Sequence, residues 1–479
     1  MSATTQPQLS ARNESLSKAT ILGMIAMGVA VLVVANDFTA LSVALPAIER
    51  DLHADVTTGQ WVINGYAMVF GVLIVTGGRL ADMFGRRRIF MLGAALFAAF
   101  SVVGGLAPNA AVLLACRFLM GIGGAMMWPA ILGMTYGLLP PSRAGLAGAV
   151  ILGAAGFGNA VGPLLGGVLT DSVGWRWIFF VNLPVAAIAI AITMMVVPRD
   201  AETKHGRIDY LGTAVLSVGL LALLLALDWA LDLGWTAPLI VGLFALAAVA
   251  LVGFLVIEHR AGDGALVPDS VLENRGFLAA GIATLFASAI FFAALLYLPQ
   301  FMSKNLGFSA MGSGAGLLPM MGTFMVTSFI SGKLYERFGP KSMVTLGALF
   351  LGAGMILLSS ISATTTYDHL ILGMVVLGVG VGLFYSSVTT AAITALDPSE
   401  SSLAGAIVYM FQIAGGSIGV GFNTAIVVSA SSMPVGIHHA FLVDGILAIG
   451  SAAVAILFVG GTVDMERLRE IRHHHRAHA

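Results

Sequence analysis

The segment that follows the second apolar run of the chain reads GRLADMFGRRR over residues 78–88. A second segment, GKLYERFGPK over residues 332–341, follows a later apolar run and repeats the order of small, basic, Leu, acidic, Phe, Gly and basic residues. Duplicated helix bundles that meet at a shared interface are a common architecture of membrane proteins. The echo therefore predicts two copies of one helical unit, each with this loop after its second helix.

The composition places both copies in a membrane. Of 479 residues, 58% are hydrophobic and 10% are charged, against about 25% charged residues in an average soluble domain. A soluble core cannot hide that much apolar surface, whereas a bilayer accommodates apolar spans of about 20 residues. The net charge of -1 argues against a nucleic-acid partner. The single cysteine, Cys116, excludes an intrachain disulfide.

Apolar runs of this length predict fourteen membrane-spanning helices. The predicted spans are residues 19–45, 57–80, 88–106, 110–137, 143–170, 177–197, 209–227, 236–257, 276–301, 311–333, 342–362, 367–390, 402–428 and 437–461. Because the echoed loops follow spans 2 and 10, spans 1–6 and 9–14 form two six-helix bundles, and spans 7 and 8 are an inserted pair.

These spans divide the chain into five parts. The predicted parts are an N-terminal tail (1–18), an N-terminal bundle (19–197), the inserted pair with its linkers (198–275), a C-terminal bundle (276–461) and a tail rich in His and Arg (462–479). An even number of spans places both tails on one side of the membrane. Lys and Arg favour the cytoplasmic side, and with both termini in the cytoplasm only Arg50, Arg117, Arg176 and Lys304 of the 23 basic residues lie elsewhere.

The loop at 78–88 resembles the hallmark loop of the major facilitator superfamily, Gly-x-Leu-x-Asp-x-x-Gly-Arg-Arg or Lys, at every position. A small residue at the start allows close helix approach, and the aspartate can face a helix N-terminus and the arginines. We expect these contacts to form a gate that closes the cytoplasmic side. The predicted gating residues are Gly78, Asp82, Gly85 and Arg86, with Glu336 and Arg337 in the echo.

Two further motifs resemble signatures of the same superfamily. Arg117 begins RFLMGIGG (117–124), which is similar to the fourth-helix motif whose arginine is associated with proton coupling. The segment GFGNAVGPLLGG (156–167) resembles the fifth-helix signature of drug antiporters, which implies export. Its spaced glycines favour close helix packing and its proline bends the helix. The residues assigned to this motif are Gly158, Gly162, Pro163, Gly166 and Gly167.

Asp37 lies in NDFTALSVALP (36–46), which resembles the first-helix motif of the fourteen-span drug/proton antiporter branch, as do WRWIFFVNLP (175–184) and DYLG (209–212). A low-dielectric cavity disfavours the charged form of a carboxyl, so Asp37 can bind a proton near neutral pH. Asp444 is the only other acid well inside a predicted span. It is either a second protonation or cation site, or a wet residue near the outer surface.

The resemblance also predicts which side chains line a central cavity. Aromatic faces suit lipophilic cations and flat organic molecules, and the candidates are Phe38, Trp61, Tyr66, Tyr297, Gln300, Tyr409 and Gln412. Related exporters of divalent cations carry extra acids in their tenth and thirteenth helices, whereas spans 10 and 13 have none here. The cavity should therefore prefer monovalent cations, zwitterions or neutral compounds.

Together these features predict a monomeric proton-coupled exporter in the cell membrane, with the all-α major facilitator fold. Its partners would be small lipophilic substrates, protons and membrane lipid, without a cofactor. No G-x-x-x-x-G-K-[ST] motif for ATP occurs. The tail sequence HHHRAH (473–478) lacks a completing carboxylate or cysteine cluster, so it predicts a solvated tail and not a metal site.

Two alternatives remain at this stage. One is export of a dedicated lipid or of a natural product that the cell itself makes. The other is a membrane acyltransferase, which depends only on the H-x4-D pattern of His439 and Asp444.

Overall fold

The computed structural model describes residues 16–54, 56–198, 209–261 and 265–459. Residues 1–15 and 460–479 lie outside the described residues; they include most of the predicted N-terminal tail (1–18) and all of the predicted C-terminal tail (462–479) with its His-rich stretch. Fourteen helices in the described part are long and apolar enough to cross a membrane, which confirms the predicted number. They are α1 (Lys18–Asp51), α2 (Val56–Phe84), α3 (Arg86–Gly105), α4 (Ala110–Gly137), α5 (Ala144–Ser172), α6 (Arg176–Val196), α7 (Tyr210–Leu233), α8 (Pro238–Ala261), α9 (Arg275–Lys304), α10 (Leu318–Phe338), α11 (Pro340–Leu358), α12 (Tyr367–Thr394), α13 (Ser401–Ser429) and α14 (Met433–Phe458).

Local sequence explains where several helices begin. Asn109 and Asn274 each accept a hydrogen bond from the backbone N–H three residues later, at 3.0 Å. Such caps satisfy N–H groups that have no partner within the helix.

Gly85 and Gly339, the matching glycines of the two echoed loops, have φ values of +101° and +81°. Only glycine adopts this region at little cost, so the sequence echo is also an echo in backbone geometry.

The two six-helix bundles repeat one packing pattern. In the first, α1 packs on α5 and α6, and α4 packs on α2 and α3. In the second, α9 packs on α13 and α14, and α12 packs on α10 and α11. The bundles meet through two equivalent pairs, α2 with α13 and α5 with α10. The fold predicted from the echo is therefore confirmed.

The inserted pair lies beside the line where the bundles meet. Helix α7 packs on α8 and also contacts both α2 and α13. Helix α8 is the outer member, and residues such as Val249 and Val252 are 71% and 62% exposed. An apolar helix this exposed faces lipid in a membrane.

The bundles meet at the end that carries the two echoed loops, which is the predicted cytoplasmic end. A Cβ atom added at Gly332 of α10 would lie 2.6 Å from the carbonyl oxygen of Gly145 of α5. A Cβ added at Gly78 of α2 would lie 2.9 Å from the carbonyl oxygen of Ser402. Backbone therefore meets backbone at both contacts, and this end of the molecule is closed.

We predict that Gly332→Ala opens this end. The added methyl group cannot fit against the backbone of Gly145, and overpacking of this kind costs about 1–3 kcal/mol. A cost of that size shifts a two-state equilibrium about 5- to 150-fold. Spin labels at Ser142 and Lys333 would report a larger separation by electron paramagnetic resonance, and transport would slow.

Gly322→Ala is the matched control on the same helix, because a Cβ there has no neighbour within 4 Å. It should leave both the label distance and the transport rate at the wild-type values. An unchanged distance in Gly332→Ala would contradict the assignment of this contact as the closing surface.

Candidate functional site

A central cavity of about 710 Å³ lies between the two bundles. Its lining residues Thr39, Asn64 and Pro299 lie in the halves of α1, α2 and α9 that are nearest the predicted outer end. Since the other end is closed, the cavity is directed toward the predicted outside. Cavities of about 300–1,000 Å³ hold drug-sized organic molecules.

Aromatic rings form much of the cavity wall. Trp128 of α4 and Tyr409 of α13 lie with ring centroids 4.8 Å apart, so the two bundles meet here through aromatic side chains. On the C-terminal side, Tyr385 packs 6.0 Å from Phe291, and its hydroxyl lies 2.7 Å from Ser288 Oγ. Flat apolar faces with electron-rich surfaces bind lipophilic and cationic molecules.

Of the seven side chains predicted to line the cavity, the structure places Tyr409 and Gln412 in its wall. Tyr66 is fully buried inside the N-terminal bundle, and the Tyr297 hydroxyl donates to Thr424 Oγ1 at 2.6 Å inside the C-terminal bundle. These two rings point into their own bundles because the wall faces of α2 and α9 carry other residues.

The remaining three candidates are also placed differently from the prediction or are not described. Gln300 accepts a hydrogen bond from Lys304 near the predicted outer end of α9, and it is not part of the wall. Trp61 is half-buried outside the wall. The side chain of Phe38 lies outside the described residues.

An ion pair lies behind the cavity wall within the N-terminal bundle. Arg117 Nη1 of α4 donates to Asp37 Oδ2 of α1 at 2.5 Å, and both side chains have no exposed surface. Arg117 Nε donates to the Val62 carbonyl oxygen at 2.6 Å, and the guanidinium lies 4.5 Å from the centroid of the Tyr66 ring. Asn182 Nδ2 of α6 is 3.5 Å from Asp37 Oδ1. Two of the three residues predicted to couple protons, Asp37 and Arg117, are therefore direct partners.

The third predicted coupling residue has a different environment. Asp444 of α14 is fully buried in the C-terminal bundle, away from the cavity wall, and its Oδ1 accepts a hydrogen bond from Asn423 Nδ2 at 3.1 Å. This burial contradicts the alternative that Asp444 is a wet residue near the surface. Its described hydrogen-bond partner is a neutral amide, whereas the partner of Asp37 is a cation.

Two further acids lie inside membrane-spanning helices, because the structure extends two of the predicted spans. Asp228 lies inside α7 and lines the cavity, and Glu258 lies inside α8 and is fully buried. Each lies one residue beyond the predicted end of its span, because α7 and α8 continue to Leu233 and Ala261. A search for single acids at the ends of apolar runs could have found both.

The predicted gating residues meet the start of α13. Asp82 accepts hydrogen bonds from the backbone N–H of Leu403 at 2.8 Å and of Ser402 at 3.4 Å, and from Arg86 Nε at 2.9 Å. Arg86 also donates to the Pro398 carbonyl oxygen at 2.5 Å. A carboxylate at a helix N-terminus compensates its partial positive charge. These contacts join the two bundles at the closed end.

The gating residues predicted in the echo segment 332–341 lie at the equivalent contact of the other bundle. A Cβ at Gly145 of α5 would lie 3.3 Å from Glu336 Cγ, so Glu336 packs at the equivalent contact between α5 and α10. The Arg337 guanidinium lies 5.3 Å from the Phe338 ring centroid. Glu336 thus occupies the position in the C-terminal bundle that corresponds to Asp82 in the N-terminal bundle.

The glycines of the predicted antiporter motif pack α5 against α1. A Cβ at Gly158 would lie 3.0 Å from Ala35 Cβ, and one at Gly166 would strike the Ala40 carbonyl oxygen. Gly162 meets α1 at Thr39, and Gly167 is buried. The side chain of Pro163 lies outside the described residues. This face holds α5 close to the helix that carries Asp37.

A second ion pair fastens the predicted outer end of the N-terminal bundle. Arg176 donates to Asp51, and Trp175 Nε1 donates to the same carboxylate at 3.1 Å. The hydrogen bond from Arg176 lowers the pKa of Asp51 below its ordinary value. Arg176 Nη2 also donates to the Ala107 carbonyl oxygen at 3.2 Å, so one arginine joins α1, α6 and the connection between α3 and α4.

We predict that Asp82→Asn slows transport without abolishing substrate binding. The amide cannot reproduce the charge-assisted bonds to α13, each worth about 1.5–3 kcal/mol, and Asp82 does not line the cavity. A fall of about tenfold or more in transport rate is expected, with the Kd for a fluorescent cation such as ethidium unchanged. Asp171→Asn, which neutralises an exposed carboxylate at the far end of α5, is the control. Loss of ethidium binding in Asp82→Asn would exclude a gating role.

Comparison with known proteins agrees with this architecture. The family model of the Major Facilitator Superfamily matches residues 27–326 and 280–476. The crystal structure of the human organic anion transporter MFSD10 (TETRAN) has the same fold, with a TM-score of 0.68 at 15% identity, and the match covers 91% of this chain and 99% of that one.

Two bacterial relatives are similar over most of their length. The puromycin resistance protein pur8 of Streptomyces alboniger is 34% identical over 454 residues, which cover 92% of this chain and 88% of the relative. The tetracenomycin C resistance and export protein of Streptomyces glaucescens is 31% identical over 398 residues, which cover 83% and 74%. With these matches and a fourteen-helix fold around a central cavity, the chain belongs to the Major Facilitator Superfamily and is a membrane transporter and not an enzyme.

Proposed function

We propose that this transporter exports lipophilic organic compounds across the cell membrane in exchange for protons. The names of the two Streptomyces relatives, one for puromycin resistance and one for tetracenomycin C resistance and export, support export of compounds of antibiotic type. The aromatic wall of the cavity supports lipophilic substrates, either neutral or with a single positive charge.

The observation that carries proton coupling is the position of the Asp37–Arg117 pair. Asp37 lies on α1, whose residues Val34, Ala35 and Thr39 line the cavity, and Arg117 lies on α4, which contributes Trp128 to the same wall. A proton that neutralises Asp37 removes the charge that holds Arg117. Both helices that carry the pair would then be free to shift the cavity wall.

The exchange cycle follows from the closed and open ends. In the conformation described, the predicted cytoplasmic end is closed and Asp37 is paired with Arg117. After substrate leaves to the outside, a proton from that side binds Asp37 and weakens the pair. The bundles rock, the gate at Asp82 opens, and the proton leaves to the cytoplasm as the next substrate binds. The exchange requires that the proton-bound protein and the substrate-bound protein favour opposite conformations.

The energy of this exchange depends on the substrate charge. One pH unit across the membrane supplies about 1.4 kcal/mol per proton, enough for about tenfold accumulation. Exchange of one proton for one monovalent cation moves no net charge, so the pH gradient alone drives it. Export of a neutral compound also uses the membrane potential, at about 2.3 kcal/mol per 100 mV.

The acyltransferase alternative depends on His439 and Asp444 acting together. Five residues on a helix are about 140° apart around the axis. His439 is exposed and Asp444 is fully buried, so the two side chains face different surroundings. This arrangement does not support a catalytic pair of acid and base.

We propose that the protein acts as a monomeric carrier and needs no cofactor.

We predict that Asp37→Asn abolishes uphill transport but not exchange. Purified protein in liposomes, with an imposed pH gradient and puromycin or ethidium as the probe, should drive uptake in the wild type only. Loss of one partner of a buried pair costs about 3–5 kcal/mol of stability, so folding needs its own readout. Counterflow of labelled against unlabelled probe needs no proton and should persist in a folded Asp37→Asn variant.

Asp444→Asn is the matched control, since it neutralises the buried aspartate of the other bundle. It should keep gradient-driven uptake. Uptake that persists in Asp37→Asn but disappears in Asp444→Asn would assign coupling to the C-terminal bundle. A probe that the wild type moves at the same rate with and without the pH gradient would exclude proton exchange.

A further inference from the structure

Asp228 of α7 lies in the wall of the central cavity, together with Leu224 and Leu227 of the same helix. It is half-buried, and its Oδ1 accepts a hydrogen bond from Asn64 Nδ2 of α2 at 3.2 Å. Asn64 also lines the cavity. Asp228 is therefore a carboxylate at the surface that a substrate would contact, and it accepts a hydrogen bond from a neutral amide.

Asp228 differs in charge from the other described residues that line the cavity. They are apolar, aromatic or neutral polar, so Asp228 is the charged group among the described residues of the wall. A cation that enters an apolar cavity loses its hydration, and a fixed opposite charge offsets that loss. Neutral polar groups such as Asn159 and Gln412 orient a ligand but carry no charge to offset a cation.

Packing of the inserted helix pair against both bundles holds Asp228 in place. Leu224 of α7 and Ile413 of α13 both pack against Gly71 of α2, so α7 fills the seam between the two bundles. The Trp235 ring, just after α7, packs over Gly421 of α13 and stacks on Phe244 of α8 at 6.2 Å. Thus α7 is part of the cavity wall and not only a lipid-facing addition.

We propose that Asp228 is the residue that selects positively charged substrates, and that the inserted pair thereby supplies part of the substrate specificity. This inference rests on the proposed export function and names the group that binds the cation. A single carboxylate in the wall matches a single positive charge. A dication would keep one charge without compensation in an apolar cavity, so monovalent lipophilic cations are the preferred charged class.

The test compares a cationic probe with a neutral one. Equilibrium binding of ethidium, a monovalent cation, and N-phenyl-1-naphthylamine, which is neutral, is measured on the purified full-length protein by fluorescence. Asp228→Asn should weaken ethidium binding about 10- to 100-fold and leave the Kd of the neutral probe within about twofold. Asp228→Glu keeps the charge and should restore most of the ethidium affinity.

Asp368→Asn is the matched control, because it neutralises an exposed aspartate at the predicted outer end of α12, outside the cavity wall. It should change neither Kd. Equal weakening of both probes in Asp228→Asn would assign the residue to packing of the wall and overturn the proposal. Unchanged ethidium binding in Asp228→Asn, or no saturable ethidium binding by the wild type, would also overturn it.

Transport measurements on the same variants separate this inference from the proposed function. Wild-type protein that binds ethidium but shows no response to a pH gradient would refute proton exchange and leave the binding role of Asp228 intact. Asp228→Asn protein that loses gradient-driven transport of both probes, while counterflow continues, would make Asp228 the proton carrier and overturn its role as a cation anchor.

Discussion

The contact of Asp82 with the first N–H groups of α13 closes one end of the molecule, and the central cavity depends on it. The bonds join α2 of one bundle to α13 of the other, at 2.8 Å and 3.4 Å. Charge-assisted bonds of this kind are worth about 1.5–3 kcal/mol each. That is enough to favour the closed state and small enough to be broken in each cycle. The backbone contact between the glycines of α5 and α10 lies at the same end of the molecule.

The two bundles repeat one fold but treat buried charge differently. In the N-terminal bundle, Asp37 is neutralised by Arg117, whose guanidinium also contacts Val62 and the Tyr66 ring. In the C-terminal bundle, the Asp444 hydrogen bond comes from an amide. A proton at Asp37 would unbalance a charge pair, whereas the described hydrogen-bond partner of Asp444 is neutral. The two repeated bundles thus form the interface at which they move against each other, and the N-terminal bundle carries the charge pair.

Much of the fold could be predicted from the sequence, but the cavity wall could not. Apolar run length and the echo of 78–88 in 332–341 predict fourteen helices, twelve in two bundles and two in an inserted pair, as observed. Helices that are apolar all round do not reveal which side faces the cavity. For this reason Tyr66 was expected in the wall and lies inside a bundle, while Trp128 and Tyr385 line the wall without having been predicted. Asp228 was missed because the predicted span ended at residue 227, whereas α7 continues to Leu233.

The inserted pair contacts both bundles, so it must follow one of them when they rock. The contact of α7 with α2 includes a directional hydrogen bond between Asp228 and Asn64. The described contacts toward α13 are apolar, and they come from Leu224 of α7 beside Ile413 and from Trp235, just after α7, over Gly421. Apolar contacts are not directional and permit sliding, while a hydrogen bond fixes its partners. In the proposed cycle α7 therefore moves with the N-terminal bundle. The carboxylate that binds the substrate cation and the carboxylate that binds the proton would then travel together, and the positive charge of either ligand would disfavour the other.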